Sequence, residues 1–301
     1  MSKRWRWVAA SACGLAAVAC AVCAPLLTFD ALVPKDSDGV RIAQDIPYGH
    51  GPRQKLDIYA PRHRRANARL PVVLFFYGGS WASGARAGYA FVGRALAAQG
   101  FLVVIPDYRI GPDNLYPDFV KDGASAVRWA MAHGRDYGGA ADAIIVSGHS
   151  AGAYIAAMLA VDDRWLGADR SSIKGLVGIA GPYDFAPFDV AASEAAFGTW
   201  PDPAETQPVH WAGAGDPPTL LLVGDKDETV RARNSEALAA TLSGRSGSDQ
   251  ALSRHRPYRH GHGDRPPLPL SRQHPGRCRA FRERRRGGPL MERSRFPVRR
   301  E

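Results

Sequence analysis

The middle of the chain, residues 40–242, alternates short apolar runs with longer segments of mixed polarity. Five runs of five to eight residues are almost wholly apolar and predict strands, at 71–77, 101–106, 143–147, 173–180 and 218–223. Two earlier segments, 40–48 and 54–59, predict further strands joined by a turn at Gly51-Pro52. Strands that are apolar on both faces are typical of a parallel sheet that helices cover on each side.

Helix-like segments fill the gaps between these strands, at 88–99, 117–133, 151–161 and 231–242. Strand and helix therefore alternate along the chain, which is the signature of a doubly wound α/β domain. The chain shows no internal repeat and no linker before residue 242. The sequence thus predicts one α/β domain with a mostly parallel sheet over residues 40–242.

The net charge of the chain is +10, and it is confined to one end. Residues 243–301 hold sixteen arginines, no lysine and five acids, a net charge of +11, which leaves −1 for the other 242 residues. The same segment has seven prolines, one valine and no isoleucine, so we expect a disordered tail that buries little core. We expect no nucleic-acid partner, because the tail contains no folded recognition element and the body is neutral.

The first 29 residues have the pattern of an export signal. Lys3, Arg4 and Arg6 precede an uncharged, alanine-rich run over residues 7–29. We expect residues 1–29 to be a signal peptide or an N-terminal membrane anchor of an exported bacterial protein, in the periplasm, at the membrane or secreted. Cleavage, lipidation and retention all remain open. Three of the four cysteines lie in this segment, so the sequence predicts neither an internal disulfide nor a cysteine metal site in the domain.

A glycine-flanked serine follows the third apolar run, in Gly148-His149-Ser150-Ala151-Gly152. A G-x-S-x-G sequence between a strand and a helix is typical of a strained turn that lifts the serine hydroxyl above the sheet. The first amide of the helix, that of Ala151, can then face a developing oxyanion. Ser150 is therefore the predicted nucleophile, and the alternative is an ordinary glycine-rich turn.

A second glycine-rich loop, Tyr77-Gly78-Gly79-Ser80-Trp81, follows the strand at 71–77. Glycines at a strand end let backbone N–H groups approach a ligand closely. We expect the amides of Gly79, Ser80 and Ala151 to form an oxyanion hole with three donors. The alternative is a simple connecting loop.

At these residues the chain resembles the α/β-hydrolase superfamily, and within it the bacterial esterase/lipase group that includes relatives of hormone-sensitive lipase, feruloyl esterases and carboxylesterases. That group places His-Gly-Gly-Gly-Trp where this chain has residues 77–81, with Tyr77 for the histidine and Ser80 for the third glycine. Pro106-Asp107-Tyr108-Arg109 also matches a recurrent pattern of the group. The resemblance, which covers about residues 40–242, implies the α/β-hydrolase fold and a serine carboxylic-ester hydrolase for small acyl esters, without cofactor or metal. An arylformamidase-type amide hydrolase and a catalytically inactive remnant remain alternatives, and the oligomeric state stays open.

The predicted acid follows the run at 218–223. A serine hydroxyl needs a histidine to accept its proton and a carboxylate to orient that histidine, in the chain order serine, acid, histidine. The family spacing G-x-x-D-x-x-V from Gly224 selects Asp227, whereas Asp225 sits one residue from the strand and is expected to be a turn residue. A solvated acidic turn is the alternative.

The predicted base has no clear place in the sequence. By resemblance it follows the acid by about 30 residues, after one more strand, but the window holds only histidines set among arginine and proline: His255, His260, His262 and His274. We therefore expect the last strand and helix to be missing and the catalytic histidine to be lost. A one-nucleotide frameshift near residues 243–247 explains this, because a permissible choice of codons for residues 250–259 reads, in the shifted frame, Arg-Leu-Tyr-Pro-Gly-Ile-Gly-His-Thr-Gly.

The segment 184–211 is rich in proline and aromatic residues and is expected to form an irregular cap over the site. His210 within it is interpreted as a loop residue, although a place in the pocket is the alternative.

Overall fold

The computed structural model describes residues 25–65, 67–244 and 253–255, the last three as backbone. All of them lie in the first of the two units into which the chain divides, residues 1–257. The predictions for residues 1–24 and for His260, His262 and His274 fall outside the described residues.

Eight strands form one sheet within the described residues, in the spatial order β1-β2-β4-β3-β5-β6-β7-β8. The strands are β1 (Gly39–Pro47), β2 (Lys55–Pro61), β3 (Leu70–Phe76), β4 (Leu102–Pro106), β5 (Gly139–His149), β6 (Ile173–Ile179), β7 (Thr219–Gly224) and β8 (Ser253–His255). β2 pairs antiparallel with β1 and with β4, and every other pair is parallel. The predicted mostly parallel, doubly wound α/β fold is confirmed.

Seven α-helices connect and cover these strands in the part of the chain that is described. They are α1 (Pro25–Leu32), α2 (Ala90–Ala98), α3 (Asp118–His133), α4 (Ala151–Val161), α5 (Ala191–Phe197), α6 (Pro208–Trp211) and α7 (Arg233–Leu242). The four predicted helices correspond to α2, α3, α4 and α7. The other three are short elements that the sequence pattern did not indicate.

The core lies around the central strands, where the apolar runs are longest. All five residues of β4 and the last five of β3 are buried. Every residue of α4 is buried as well, because its sequence, AGAYIAAMLAV, has no charged side chain and small alanines that allow close packing on the sheet. This buried helix begins directly after Ser150, so a fully buried helix carries the predicted nucleophile at its start.

The prediction that the last strand is missing is wrong for three residues. The backbone of Ser253–His255 pairs parallel with β7, and Leu222, Val223 and Gly224 are the partners. Parallel strands add to a sheet edge through main-chain hydrogen bonds, which any non-proline sequence can supply. The expected absence of the last helix concerns residues outside the described part.

The helix α1 crosses the predicted boundary at residue 29 and packs on the domain. The ring of Phe29 meets that of Phe91 edge to face with centroids 5.3 Å apart, and the Phe91 N–H donates to the Asp30 carboxylate at 2.8 Å. Among the described residues, every helix is too short or too polar to cross a membrane.

Candidate active site

Ser150 occupies a strained turn between β5 and α4. Its φ of 52° and ψ of −122° lie in a region that non-glycine residues rarely adopt. The turn is held by a hydrogen bond from the Ser150 N–H to the Ile179 carbonyl oxygen at 2.8 Å, which ties it to the end of β6. This is the geometry that the G-x-S-x-G sequence predicts.

The flanking glycines are required by close backbone contacts. A Cβ added to Gly152 would lie 2.1 Å from the carbonyl oxygen of Phe76, and one added to Gly148 would lie 2.4 Å from the carbonyl of Gly152. Side-chain carbons do not approach other atoms below 3.0 Å, so neither position can hold a larger residue without displacing the backbone. The nucleophile turn is therefore packed directly against the end of β3.

The glycine-rich loop after β3 has an unusual backbone. Gly79 has a φ of 148°, and Ser80 and Trp81 have φ of 54° and 57°. The Gly79 carbonyl accepts hydrogen bonds from the amides of Ala82 and Ser83 at 3.0 and 2.9 Å, which closes a tight turn. Within the described residues, no hydrogen bond uses the amides of Gly79, Ser80 or Ala151. These three amides are thus available to a ligand.

Arg53 holds this loop in place through hydrogen bonds. Its guanidinium donates to the Tyr77 hydroxyl at 2.6 Å and to the Gly84 carbonyl at 2.9 Å. Its Nε donates to the Tyr108 carbonyl at 2.9 Å. Tyr108 in turn donates to the Tyr77 carbonyl at 2.7 Å. Burial raises the pKa of Tyr77, so its hydroxyl stays protonated.

Arg86 fixes the other end of the loop through three carboxylates. Its Nε lies 2.8 Å from Asp57, and its guanidinium also pairs with Asp45 and Asp107. The Arg86 amide donates to Asp107 at 2.7 Å. Within the motif Pro106–Arg109, Asp107 therefore anchors the loop, while Arg109 pairs with the buried Asp122 on α3. No sequence pattern indicated a role for Arg86.

Asp227 lies in the loop that follows β7. Its Oδ1 accepts hydrogen bonds from the amides of Thr229 and Val230 at 3.0 and 2.9 Å, and the carboxylate is half-buried. Asp225 is exposed, as expected of a turn residue. The three residues after Asp227, Glu228–Val230, line the same cavity as Ser150.

His149 and Tyr89 stand beside the nucleophile, and sequence reasoning missed both. Nδ1 of His149 lies 3.0 Å from the Tyr89 hydroxyl, which also accepts a hydrogen bond from the Gly78 N–H at 3.2 Å. Burial lowers the pKa of His149, and the carboxylate of Asp227 opposes that shift. His149 could have been noticed as the variable residue of the G-x-S-x-G sequence, whereas nothing marked Tyr89.

A cavity of about 190 Å³ opens above Ser150. Ser80, Ser150 and Ala151 lie on one side of it, and Gly79 adjoins Ser80 in the loop. Its apolar wall includes Trp81, Phe185 and Val190, and α5 contributes Ala192 and Ser193. Four exposed charged residues lie around its opening: Asp189, Glu228, Arg231 and Arg233.

The cap segment is more regular than the sequence indicated, because α5 and α6 both lie within residues 184–211. Trp81 meets Phe197 of α5 edge to face at 4.7 Å, so the cap packs on the glycine-rich loop. His210 packs against Trp211 with ring centroids 4.9 Å apart and is absent from the lining of the cavity.

Ser150, the three amides and Asp227 all lie in loops or turns at the carboxyl ends of the strands. The structure describes no histidine side chain from the tail that could act as a base. The backbone of His255 pairs with Gly224 at the carboxyl end of β7. Within the described ranges, no three histidine, cysteine or acidic side chains cluster in a way that could hold a metal ion.

The sequence of the chain is similar to those of known esterases. A family model described as BD-FAE matches residues 56–242. Esterase LipC of Mycobacterium tuberculosis is 37% identical over 147 residues, which are 46% of this chain and 36% of that protein. A probable isoprenylcysteine alpha-carbonyl methylesterase of Arabidopsis thaliana is 37% identical over 154 residues, 48% of this chain and 31% of the relative. The chain thus spans about a third of the length of these two relatives.

Solved structures share the fold. A truncated form of a carbohydrate esterase from gut microbiota superposes with a TM-score of 0.63 at 20% identity, over 70% of this chain and 87% of that one. Thermogutta terrifontis esterase 2, phosphoramylated by tabun, superposes with a TM-score of 0.58 at 25% identity, over 70% of this chain and 81% of that one.

Proposed function

The chain belongs to the BD-FAE family of α/β-hydrolases, and on that premise we propose that it is a serine carboxylic-ester hydrolase acting on small acyl esters. The observation that carries the proposal is Ser150 in a turn with positive φ, directly before a buried helix and near three amides that have no partner among the described residues. The esterase names of the relatives support the reaction type.

The reaction follows from these positions. The Ser150 hydroxyl attacks the acyl carbonyl carbon, and the amides of Gly79, Ser80 and Ala151 stabilise the negative oxygen that forms. Collapse of this intermediate expels the alcohol and leaves an acyl group on Ser150, which water then releases as the acid. A histidine must take the serine proton and return it to the leaving alcohol, and we assign to Asp227 the role of orienting that histidine.

We further propose that this chain turns over slowly, because its catalytic histidine is lost. The half-buried Asp227 then has no imidazole to orient. The frameshift near residues 243–247 remains our explanation. Resequencing the gene tests it directly. We expect the shifted frame to encode a Gly-His sequence about 30 residues past Asp227, and a stop codon before such a sequence would overturn the idea.

Asp227→Asn distinguishes a lost base from a working one. If no histidine is oriented, we expect kcat for a short-chain p-nitrophenyl ester to change by less than about threefold. A triad whose acid becomes an amide loses about 10⁴ in kcat. Asp225→Asn is the matched control, since Asp225 is exposed in the same loop. A large loss specific to Asp227→Asn would show that a positioned base exists.

One observation favours His255 as the base, as the alternative to a lost histidine. The backbone of His255 lies next to Gly224, at the same sheet edge as Ser150 and Asp227. His255→Asn tests this residue, with His260→Asn as the matched control from the same tail. Slow turnover that His255→Asn leaves unchanged supports a lost base, whereas loss of activity only in that variant would assign the role to His255.

A further inference from the structure

The hydroxyl of Tyr89 connects two parts of the site that come from different strands. It accepts a hydrogen bond from the Gly78 N–H at 3.2 Å and lies 3.0 Å from Nδ1 of His149. Gly78 belongs to the loop that carries the amides of Gly79 and Ser80. His149 is the last residue of β5, directly before Ser150. One phenol therefore bridges the proposed oxyanion amides and the nucleophile.

The direction of these hydrogen bonds follows from the available protons. A peptide N–H can only donate, so the Tyr89 oxygen accepts from Gly78 and its single proton is left for His149. A donating Nδ1–H would leave the proton of the buried Tyr89 without an acceptor among the described residues, at a cost in free energy. The arrangement that satisfies every group therefore has Nδ1 of His149 as the acceptor, in a neutral imidazole with its proton on Nε2. An imidazolium carries a proton on both nitrogens, so it could only donate to the Tyr89 oxygen and would leave the phenol proton without that acceptor.

We propose that Tyr89 and His149 are positioning residues that hold the oxyanion loop against the nucleophile turn, and that they do so best while His149 is neutral, when every polar group of the pair has a partner. The effect on turnover rests on the proposed function. Both side chains act through the backbone, Tyr89 at Gly78 and His149 through its peptide link to Ser150. They are not required to touch the substrate.

Packing couples the two residues tightly. Tyr89 is 3% exposed, and its ring packs against Phe75 and Tyr77 with centroids 5.6 and 6.0 Å apart. A Cβ added to Gly78 would lie 2.8 Å from Nδ1 of His149 and 3.1 Å from Cβ of Ser150. The loop backbone therefore lies directly against both residues, and rotation of the imidazole would displace it.

The electrostatic surroundings set the pH at which the link breaks. Within the described residues, the ionisable groups that act on the His149 ring are Tyr89, from the turn before α2, and Asp227, from the loop after β7. Burial raises the pKa of Tyr89, which stays protonated. Burial also lowers the pKa of His149, with Asp227 opposing, so the ring is neutral at neutral pH. The hydrogen bond that Tyr89 donates is intact there and is lost as the pH falls through the lowered pKa.

Nuclear magnetic resonance of the full chain with ¹⁵N-labelled histidine tests the link without any hydrolysis. The His149 signals are assigned by their absence in His149→Asn. We expect a neutral ring protonated on Nε2, a midpoint below the ordinary value of 6.5, and a change of both in Tyr89→Phe. Tyr137→Phe is the matched control. A mixture of tautomers that Tyr89→Phe leaves unchanged would overturn the proposal.

The hydrolytic readout is the pH profile of kcat for a short-chain p-nitrophenyl ester. We expect Tyr89→Phe and His149→Leu to lower kcat by about tenfold to a hundredfold with little change in KM, because a small displacement of catalytic groups has effects of that size. The Oδ1 of asparagine can replace Nδ1 as an acceptor but does not titrate. His149→Asn should therefore have a higher kcat than His149→Leu, and it should remove the fall in kcat at low pH that the titration of His149 causes. His133→Asn is the matched control.

The resonance experiment and the hydrolysis experiment together distinguish failure of the proposed function from failure of the positioning role. Absence of any Ser150-dependent hydrolysis would contradict the proposed function, and the resonance experiment would still decide whether the link exists. A confirmed link together with a kcat that Tyr89→Phe and His149→Leu leave unchanged would overturn the positioning role alone.

Discussion

Ser150→Ala is expected to abolish covalent labelling of the chain by a fluorophosphonate and to reduce ester hydrolysis to the rate in buffer. The hydroxyl is the attacking atom, so neither the amides of the loop nor Asp227 can replace it. In a triad with a working base, loss of the serine costs about 10⁶ in kcat. In this chain the fall is smaller if the wild type already lacks its base, and the adduct mass is then the decisive readout.

Ser171→Ala is the matched control, because the Ser171 hydroxyl is exposed and bonds only the Ala168 carbonyl among the described residues. The Ser171→Ala variant should be labelled by the fluorophosphonate and should hydrolyse the ester at the same rate as the wild type. Hydrolysis that persists in Ser150→Ala, or an adduct on another serine, would contradict the assignment of the nucleophile.

Arg86→Leu is expected to lower the free energy of unfolding by about 3 kcal/mol. The side chains of Asp57 and Asp107 are only 2% and 9% exposed, and Arg86 is the cation that both share. Removing one partner of a buried ion pair costs about 3–5 kcal/mol when it leaves an uncompensated charge. Here Arg41 stays 3.1 Å from Asp57 and Arg53 stays 3.9 Å from Asp107, so we expect the lower end of that range. Because Arg86 also fixes the loop that follows Gly78, labelling of Ser150 should slow as well. Urea unfolding with a constant m value measures the loss.

Arg128→Leu provides the comparison. Arg128 pairs with Asp169 at 3.1 Å, but both side chains are nearly half exposed. An exposed pair of this kind contributes about 0–1 kcal/mol. Equal losses in the two variants would show that burial of the Arg86 cluster does not strengthen it.

The sequence pattern predicted the sheet well because its signal is local. The apolar runs at 71–77 and 101–106 became β3 and β4, which are buried on both faces as their composition requires. The strand predicted at 143–147 extends over Gly139–His149 in the structure. Its first residues are less apolar, and they become a strand by pairing with the start of β3, which is a tertiary effect.

The candidate site likewise contains residues that a local sequence signal marks and residues that only the tertiary fold brings together. Ser150 and Asp227 are marked by short spacings, and the structure brings their neighbours to one cavity. The cluster around Arg86 joins carboxylates that are 21, 29 and 41 residues away in the chain, and Tyr89 lies 60 residues before His149. No periodicity links positions so far apart, so these contacts arise only from the fold. The short helices α5 and α6 also depend on tertiary packing, since isolated helices of seven and four residues are unstable.

The charged opening of the cavity affects how a substrate arrives. Two carboxylates, Asp189 and Glu228, stand there with two guanidiniums, Arg231 and Arg233. These four charges sum to zero, and salt screens their fields beyond the Debye length, which is about 8 Å at physiological ionic strength. An approaching ester is then neither attracted nor repelled from a distance, and its association rate should depend little on ionic strength. For the proposed ester substrate we then expect discrimination after contact, through its fit to the wall that includes Trp81 and Phe185.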